Sequence, residues 1–150
     1  MCIRDRFQID PLSLARKDQL KEARDWLAQT LTKSARSSEM DNAVGAPMIY
    51  ATANKEAVTA AQSELGAAAA GELVEQALAT LAQDAIDQGV RQLLVAGGES
   101  SGAVAQALAL DSLRVGAEIA PGVPWTYAAL GDDTIAIALK SGNFLSLIHI

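Results

Sequence analysis

Short apolar runs alternate along the chain with longer segments in which apolar residues recur every three or four positions. A short run bounded by turn residues is typical of a strand, and the longer spacing is typical of a helix that buries one face. The predicted strands are residues 7–10, 48–50, 93–95, 113–115, 125–130 and 134–139, and the predicted helices are residues 17–33, 55–65, 72–88 and a helix that begins at Ser100.

This alternation predicts an α/β fold with a largely parallel sheet flanked by helices. The last two strands, joined through Gly131-Asp132-Asp133, are predicted to form a C-terminal antiparallel hairpin. Residues 116–125 are interpreted as a connection rich in proline and glycine. Half of the residues are apolar, which is ample for a core, and a chain of 150 residues suits a single domain.

Residues 90–110 hold the most informative pattern, an apolar strand that breaks at Gly97-Gly98 and restarts as a helix at Ser100-Ser101. This arrangement presents backbone N–H groups and the positive end of a helix to an anion. The glycines allow close approach, and either serine can cap the helix or donate to a phosphate oxygen. An ordinary strand-to-helix turn with a serine cap fits the spacing equally well. The helix is expected to bury Val104, Ala107 and Leu108.

Two known motifs overlap this loop. A P-loop requires lysine directly after its last glycine, and Ala103 stands there instead, which excludes that motif. Residues 98–102 also fit the G-x-S-x-G nucleophile elbow of serine hydrolases, with Ser100 as the nucleophile. That interpretation lacks a base, because the one histidine of the chain, His149, lies in the last six residues.

The two ends of the chain are related to each other at the level of DNA. MCIRDR at residues 1–6 and LSLIHI at residues 145–150 can be encoded by segments that are reverse complements. Unrelated coding ends are not expected to show this, whereas one sequencing adapter joined to both ends of an insert produces it. We therefore expect residues 7–144 to be natural, both terminal segments to be artefacts, and the natural segment to come from a longer gene.

Leaving out the terminal segments changes the candidate chemistry. The only cysteine, Cys2, and the only histidine are then removed, so no thiol, imidazole or Cys/His metal site is expected. The formal charge is −6 for the whole chain and −7 for residues 7–144. An acidic chain without a basic run or a long apolar segment argues against nucleic acid and membrane as partners. The lack of cysteine fits the cytoplasm.

Three polar loops are expected at the carboxyl edge of one parallel sheet, where α/β proteins bind ligands. They are residues 52–54, the glycine loop (residues 97–102) and the lysine loop (residues 140–143). Backbone donors, hydroxyls and one cation are what a polyphosphate needs. The predicted ligand residues are Thr52, Gly97, Gly98, Glu99, Ser100, Ser101, Gly102, Lys140, Ser141, Gly142 and Asn143.

Several of these residues have plainer interpretations. Lys140 is also typical of a solvated strand end. Asp132 and Asp133 are expected to be hairpin residues rather than Mg²⁺ ligands, and Glu99 is the better acidic candidate because it lies within the glycine loop. Trp125 and Tyr127 are expected to pack, with a border of an adenine pocket as the alternative for Trp125.

Three motifs together resemble a known family. VAGGESSGAV, GAEIAPGVPWT and ALKSGNF, in this order and spacing, are similar to the C-terminal nucleotide-binding domain of the four-carbon acid sugar kinases, which act on 3-oxo-tetronate, threonate or erythronate. The resemblance covers residues 7–144. It implies that the ligand residues above bind ATP with Mg²⁺, and that a separate N-terminal domain binds the acid sugar and holds most of the catalytic residues. No metal-ligating residue is assigned within the chain.

The chain departs from the family pattern at three positions. Ser100 replaces threonine and keeps its hydroxyl, Ala117 replaces proline, and Leu145 stands where glycine is expected. The resemblance further implies a last helix beyond the lysine loop, and an inactive fragment without the N-terminal domain. Two other functions remain open at this point: a serine hydrolase that uses Ser100, and a nucleotide-binding module without catalysis.

Overall fold

A computed structural model describes residues 3–16, 18–37 and 46–141 of the chain. The described residues form strands and helices that alternate over most of the chain, and the predicted α/β class is confirmed. The elements are β1 (Ile3–Gln8), α1 (Pro11–Ala15), α2 (Asp18–Ser37), β2 (Ala46–Tyr50), α3 (Lys55–Leu65), α4 (Ala67–Asp87), β3 (Gln92–Ala96), α5 (Gly98–Ala107), β4 (Arg114–Ala120), β5 (Val123–Leu130) and β6 (Asp133–Lys140).

The chain divides into two compact units, residues 1–81 and residues 82–150, so the boundary in the sequence falls within α4. In the first unit, β1 and β2 form a two-stranded parallel sheet. Asp10 caps α1 by accepting from the backbone N–H of Ser13 at 2.9 Å, and Asn54 caps α3 by accepting from Ala57 at 2.9 Å. Such caps satisfy N–H groups that a helix leaves unpaired. Polar residues therefore set where these helices begin.

The long helix α2 has the polar and apolar faces that its sequence predicts. Ala23 and Leu27 are buried. Lys21 and Asp25 lie outward and form an i,i+4 ion pair of 2.8 Å. The hydrogen bond that Lys21 donates to the Asp25 carboxylate, together with the negative charge of that carboxylate, raises the pKa of Lys21. Both side chains are largely exposed, so this pair adds little to stability.

The second unit contains a four-stranded sheet in the order β3-β6-β5-β4. β3 and β6 are parallel, whereas β5 runs antiparallel to both β6 and β4. One face of this sheet packs against α5 and the end of α4. The buried residues of this core are Ala82, Ile86, Val104, Leu108, Ala128, Ile135 and Ile137.

Two details of this unit differ from the predictions. Ala107 is exposed, so the predicted apolar face of α5 is wrong at that position, whereas Val104 and the C-cap residue Leu108 are buried as predicted. The connection at residues 116–125 is largely strand. Pro121 and Gly122 form a tight turn between β4 and β5, and Gly122 has a φ of 75° there. A turn with proline second and glycine third suits that backbone, and β4 is an edge strand, which tolerates these residues.

Strand direction defines a carboxyl edge of the sheet, the edge at which β3 and β6 end. Because β5 is antiparallel to β6, it begins at this edge, and β4 ends there. At the opposite edge, Asp133 accepts from Arg91 through Nη2 at 2.6 Å and Nε at 3.1 Å. The predicted role of Asp133 as a hairpin residue is consistent with this ion pair. No described helix is long and apolar enough to cross a membrane.

Candidate functional site

The glycine loop and the lysine loop begin side by side at the carboxyl edge. Ala96 and Lys140 are register partners in the parallel pair β3 and β6. Directly after them, the N–H of Gly97 donates to the carbonyl of Lys140 at 2.8 Å. The structure therefore brings together two of the three predicted loops, as the parallel pairing requires. Gly142 and Asn143 lie outside the described residues.

The glycine loop leads directly into α5. Gly97 is the N-cap with a φ of 111°, and no side chain caps the helix. The expectation that Ser100 or Ser101 caps it is therefore wrong: α5 begins at Gly98, so both serines lie within the helix. The first N–H groups of a helix have no acceptor within it, and they carry the positive end of its dipole. Gly98 and Glu99, which begin the helix, are exposed. This end of α5 can accept an anion.

The two serines of the loop differ in what they can offer a ligand. Ser100 is partly buried within the first turn of α5. The N–H of Ser101 donates to the carbonyl of Gly97 at 2.9 Å, and its Oγ is enclosed without a hydrogen-bond partner among the described residues. Both donors of Ser101 are thus turned away from solvent. A role for Ser101 in ligand binding stays a prediction, and it requires the hydroxyl to be uncovered.

Lys140 is buried, with 5% of its surface exposed. The interpretation as a solvated strand end is therefore wrong. Its Nζ donates to the carbonyl of Ser141 at 3.3 Å, and no carboxylate of the described residues pairs with it. A buried ammonium group without a counter-charge is unfavourable, because desolvation is not repaid. The site therefore suits an anion that supplies the missing charge.

Thr52 occupies a different part of the structure. It follows β2 in the first unit, and its carbonyl accepts from Nε2 of Gln8 at 3.0 Å. The expectation that all three loops follow strands of one sheet is wrong, because β2 pairs with β1 and not with the four-stranded sheet. β1 and β2, which are consecutive strands in the sequence, pair with each other, and β2 does not pair with β3. A role of Thr52 at the nucleotide stays a prediction.

The acidic residues of the second unit do not gather. Over the described residues, no three His, Cys, Asp or Glu side chains form a group that could hold a metal ion. Asp132 lies exposed in the hairpin turn at the opposite edge, whereas Glu99 lies exposed on the first turn of α5. Glu99 is therefore the predicted acidic candidate that the structure places at the carboxyl edge.

The two aromatic residues of β5 are partly buried. Tyr127 is a packing residue, as predicted: its ring leaves no room for a side chain at Gly116, where an added Cβ would lie 2.5 Å from Cε2. The guanidinium of Arg114 lies over the same ring, 5.2 Å from its centroid. These contacts explain the glycine at position 116 of the edge strand. The alternative interpretation of Trp125, as a residue that borders an adenine pocket, stays a prediction.

The β4–β5 turn also lies at the carboxyl edge, a position that the sequence alone does not predict. Pro121 and Gly122 are exposed, and the N–H of Gly122 donates to Oε1 of Glu118 at 3.3 Å. The sequence carried a signal for it, since proline and glycine between two apolar stretches indicate a turn. Its place follows only from the antiparallel pairing of β5 with β6.

Gly97 and Gly98 should respond differently to substitution. A Cβ at Gly98 meets nothing within 4 Å, so Gly98→Val should fold normally and weaken nucleotide binding through steric exclusion of the ligand. Gly97 has a φ of 111°, and a Cβ there would lie 3.3 Å from Oγ of Ser100. Gly97→Ala should therefore lower the free energy of unfolding by roughly 1–3 kcal/mol. Denaturant unfolding and ligand titration separate the two effects.

A matched control for these variants is Gly71→Val in α4. A Cβ there meets only a flexible side chain, Oε1 of Glu75 at 3.9 Å, and the position lies outside the loop. It should leave nucleotide affinity unchanged. Equal loss of affinity in Gly71→Val and Gly98→Val would contradict steric exclusion at the loop.

Comparison with known proteins identifies the family. The sequence profile described as "Nucleotide-binding C-terminal domain" matches residues 2–144. The chain belongs to this family. The predicted resemblance to the C-terminal nucleotide-binding domain of the four-carbon acid sugar kinases is confirmed by its relatives. The 3-oxo-tetronate kinase of Cupriavidus necator is 47% identical over 94% of this chain, and that of Pseudomonas fluorescens is 46% identical over 94%.

This nucleotide-binding domain spans 30% of the length of both of these kinases. A solved structure of a Haemophilus influenzae protein is also similar, with a TM-score of 0.80 and 32% identity. That likeness covers 98% of this chain and 33% of the other. The two curated relatives are named kinases and are about three times as long as this chain.

Proposed function

We propose that the second unit binds the phosphates of ATP at the carboxyl edge. The observation that carries this proposal is the main-chain hydrogen bond between Gly97 and Lys140. It joins the uncapped start of α5 to a buried lysine that has no carboxylate partner among the described residues. The helix end supplies backbone donors, and the lysine supplies a full positive charge. Together they match the charge and the donor requirement of a polyphosphate.

The proposed ligands in this unit are those predicted from its sequence: Gly97, Gly98, Glu99, Ser100, Ser101, Gly102, Lys140, Ser141, Gly142 and Asn143. The predicted role of Thr52, which belongs to the first unit, stays a separate proposal. The exposed start of α5 and the buried lysine support Gly98 and Lys140 most directly. Mg²⁺ would enter with the nucleotide. Phosphate oxygens and water supply most of its ligands in such sites, and the exposed carboxylate of Glu99 is a protein group at this edge.

The proposed reaction is transfer of the γ-phosphoryl group of ATP to a hydroxyl of a four-carbon acid sugar of the 3-oxo-tetronate, threonate or erythronate class. The names of the relatives support the kinase assignment. The acid sugar and the catalytic residues would lie in an N-terminal domain outside this chain. Within the chain, residues 7–144 would be the natural segment, and the terminal segments would be artefacts.

Calorimetric titration of Mg·ATP tests nucleotide binding. The full-length protein that carries residues 7–144 should release heat with saturable, one-site binding, because the loops neutralise and bond the phosphates. A protein of residues 7–144 with the last helix added back should still bind Mg·ATP in the same titration, at lower affinity. Absence of saturable heat in the full-length protein would refute the proposal.

The structure speaks against the hydrolase alternative. A nucleophile elbow places its serine at a strained turn between strand and helix. Here the positive φ belongs to Gly97, and Ser100 lies inside α5 with ordinary helical backbone. No described residue is a histidine that could serve as its base.

Ser100 should therefore not react with a fluorophosphonate probe. Its hydroxyl has no activating base, so the alkoxide is inaccessible at neutral pH. Mass spectrometry of the intact protein after incubation measures the result, with Ser100→Ala as the control. Stoichiometric labelling that disappears in Ser100→Ala would restore the hydrolase interpretation.

A further inference from the structure

The β4–β5 turn lies at the same edge of the sheet as the proposed phosphate site. It is at the other end of the strand order, next to β4 instead of β3. The strand order β3-β6-β5-β4 places three strand spacings between the glycine loop and β4. At about 4.8 Å for each spacing, the two are separated by roughly 14 Å across the edge. A nucleoside triphosphate laid along the edge with its phosphates at α5 would extend its nucleoside towards this turn.

The turn is built to present a carboxylate at that place. Gly122 adopts a φ of 75°, which glycine tolerates without strain, and Pro121 restricts the preceding residue. Val123, which follows, is buried and anchors the turn to the unit. Glu118 is exposed, and one of its oxygens accepts from the N–H of Gly122. The carboxylate therefore lies beside the exposed turn and contacts its backbone.

The hydrogen bond that holds Glu118 is weak enough to be supplemented by a ligand. Its length of 3.3 Å exceeds the usual range for N–H···O bonds. The second carboxylate oxygen, Oε2, has no partner among the described residues. A carboxylate repels phosphate but accepts readily from hydroxyl groups, and acidic residues bind ribose hydroxyls in this way in other nucleotide folds.

We propose that Glu118 binds the ribose hydroxyls of the nucleotide, with the Pro121-Gly122 turn as the wall of the nucleoside subsite. This inference rests on the proposed function, since it assumes that the phosphates occupy the α5 end. Glu118 is then a specificity residue that distinguishes ribonucleotides from deoxyribonucleotides and from inorganic polyphosphate. The chemistry concerned is the ribose diol, irrespective of the base.

The experiment compares ATP, 2′-deoxy-ATP, 3′-deoxy-ATP and tripolyphosphate by calorimetry on the full-length protein. The unchanged protein should bind ATP about tenfold more tightly than at least one deoxy analogue, which is the effect of one charge-assisted hydrogen bond. Glu118→Gln should lose most of this preference and bind ATP about tenfold more weakly. Its affinity for tripolyphosphate should be unchanged, which also shows that the variant is folded.

Asp132→Asn is the matched control, because Asp132 is an exposed carboxylate in the hairpin turn at the opposite edge of the same sheet. It should leave all four affinities unchanged. Equal binding of ATP and both deoxy analogues by the unchanged protein would overturn the ribose assignment without requiring any variant. A Glu118→Gln protein that still prefers ATP to the deoxy analogues would also overturn the ribose assignment. Failure of the unchanged protein to bind ATP or tripolyphosphate would instead overturn the proposed function.

Discussion

Replacing Lys140 by methionine is expected to weaken Mg·ATP binding by about 10- to 100-fold, the worth of a hydrogen bond to a charged group. Methionine keeps an unbranched apolar stem and removes the charge. Because Lys140 is buried and its ammonium group has no carboxylate partner among the described residues, the same change should also stabilise the protein without ligand. The expected gain in the free energy of unfolding is on the order of 1 kcal/mol.

Opposite changes in affinity and stability would distinguish a ligand-binding lysine from a structural one. Adenosine provides the comparison, since it lacks the phosphates and should bind Lys140→Met and the unchanged protein alike. Thermal unfolding without ligand and calorimetry with each ligand measure both effects. The exposed Lys55→Met, at the start of α3, is the control and should change neither quantity by much. Equal weakening of ATP and adenosine, together with lower stability, would show that Lys140 is structural.

The chain by itself is expected to phosphorylate no acid sugar, and activity should require the N-terminal domain of the full-length protein. A kinase must hold the attacking hydroxyl in line with the γ-phosphate, and this positioning supplies much of the rate. At the carboxyl edge, the described residues provide one buried cation, which the proposed phosphates already engage. The basic residues Lys21 and Arg24 of α2 lie on an exposed helix face.

The assay follows ADP release with 3-oxo-tetronate, threonate and erythronate as acceptors. Residues 7–144 with the last helix restored should bind ATP without turnover, and the full-length protein should turn over at least one acceptor. Turnover by the restored segment alone would contradict the two-domain mechanism. A full-length protein that binds ATP yet uses no four-carbon acid would leave only the nucleotide site of our proposal.

Local patterns predicted most elements of the fold. The helix at 55–65 coincides with α3, because Asn54 caps its start and Gly66 ends it. The hairpin at the end of the chain follows from alternating apolar residues around Gly131-Asp132. The sequence predicts a strand at residues 113–115, whereas β4 extends to Ala120. Most residues of this edge strand are exposed and do not pack in a core, so its sequence shows no apolar alternation.

For the candidate site, the sequence by itself determined the chemistry: glycines at a strand end, hydroxyls at a helix start, a lone lysine after an apolar strand, and the family that shares these motifs. Only the tertiary structure decided which of these groups meet. Pairing of β3 with β6 brought Gly97 to Lys140, pairing of β1 with β2 placed Thr52 on another sheet, and antiparallel β5 brought Glu118 and its turn to the edge. Strand pairing joins residues distant in sequence, so no local pattern specifies it.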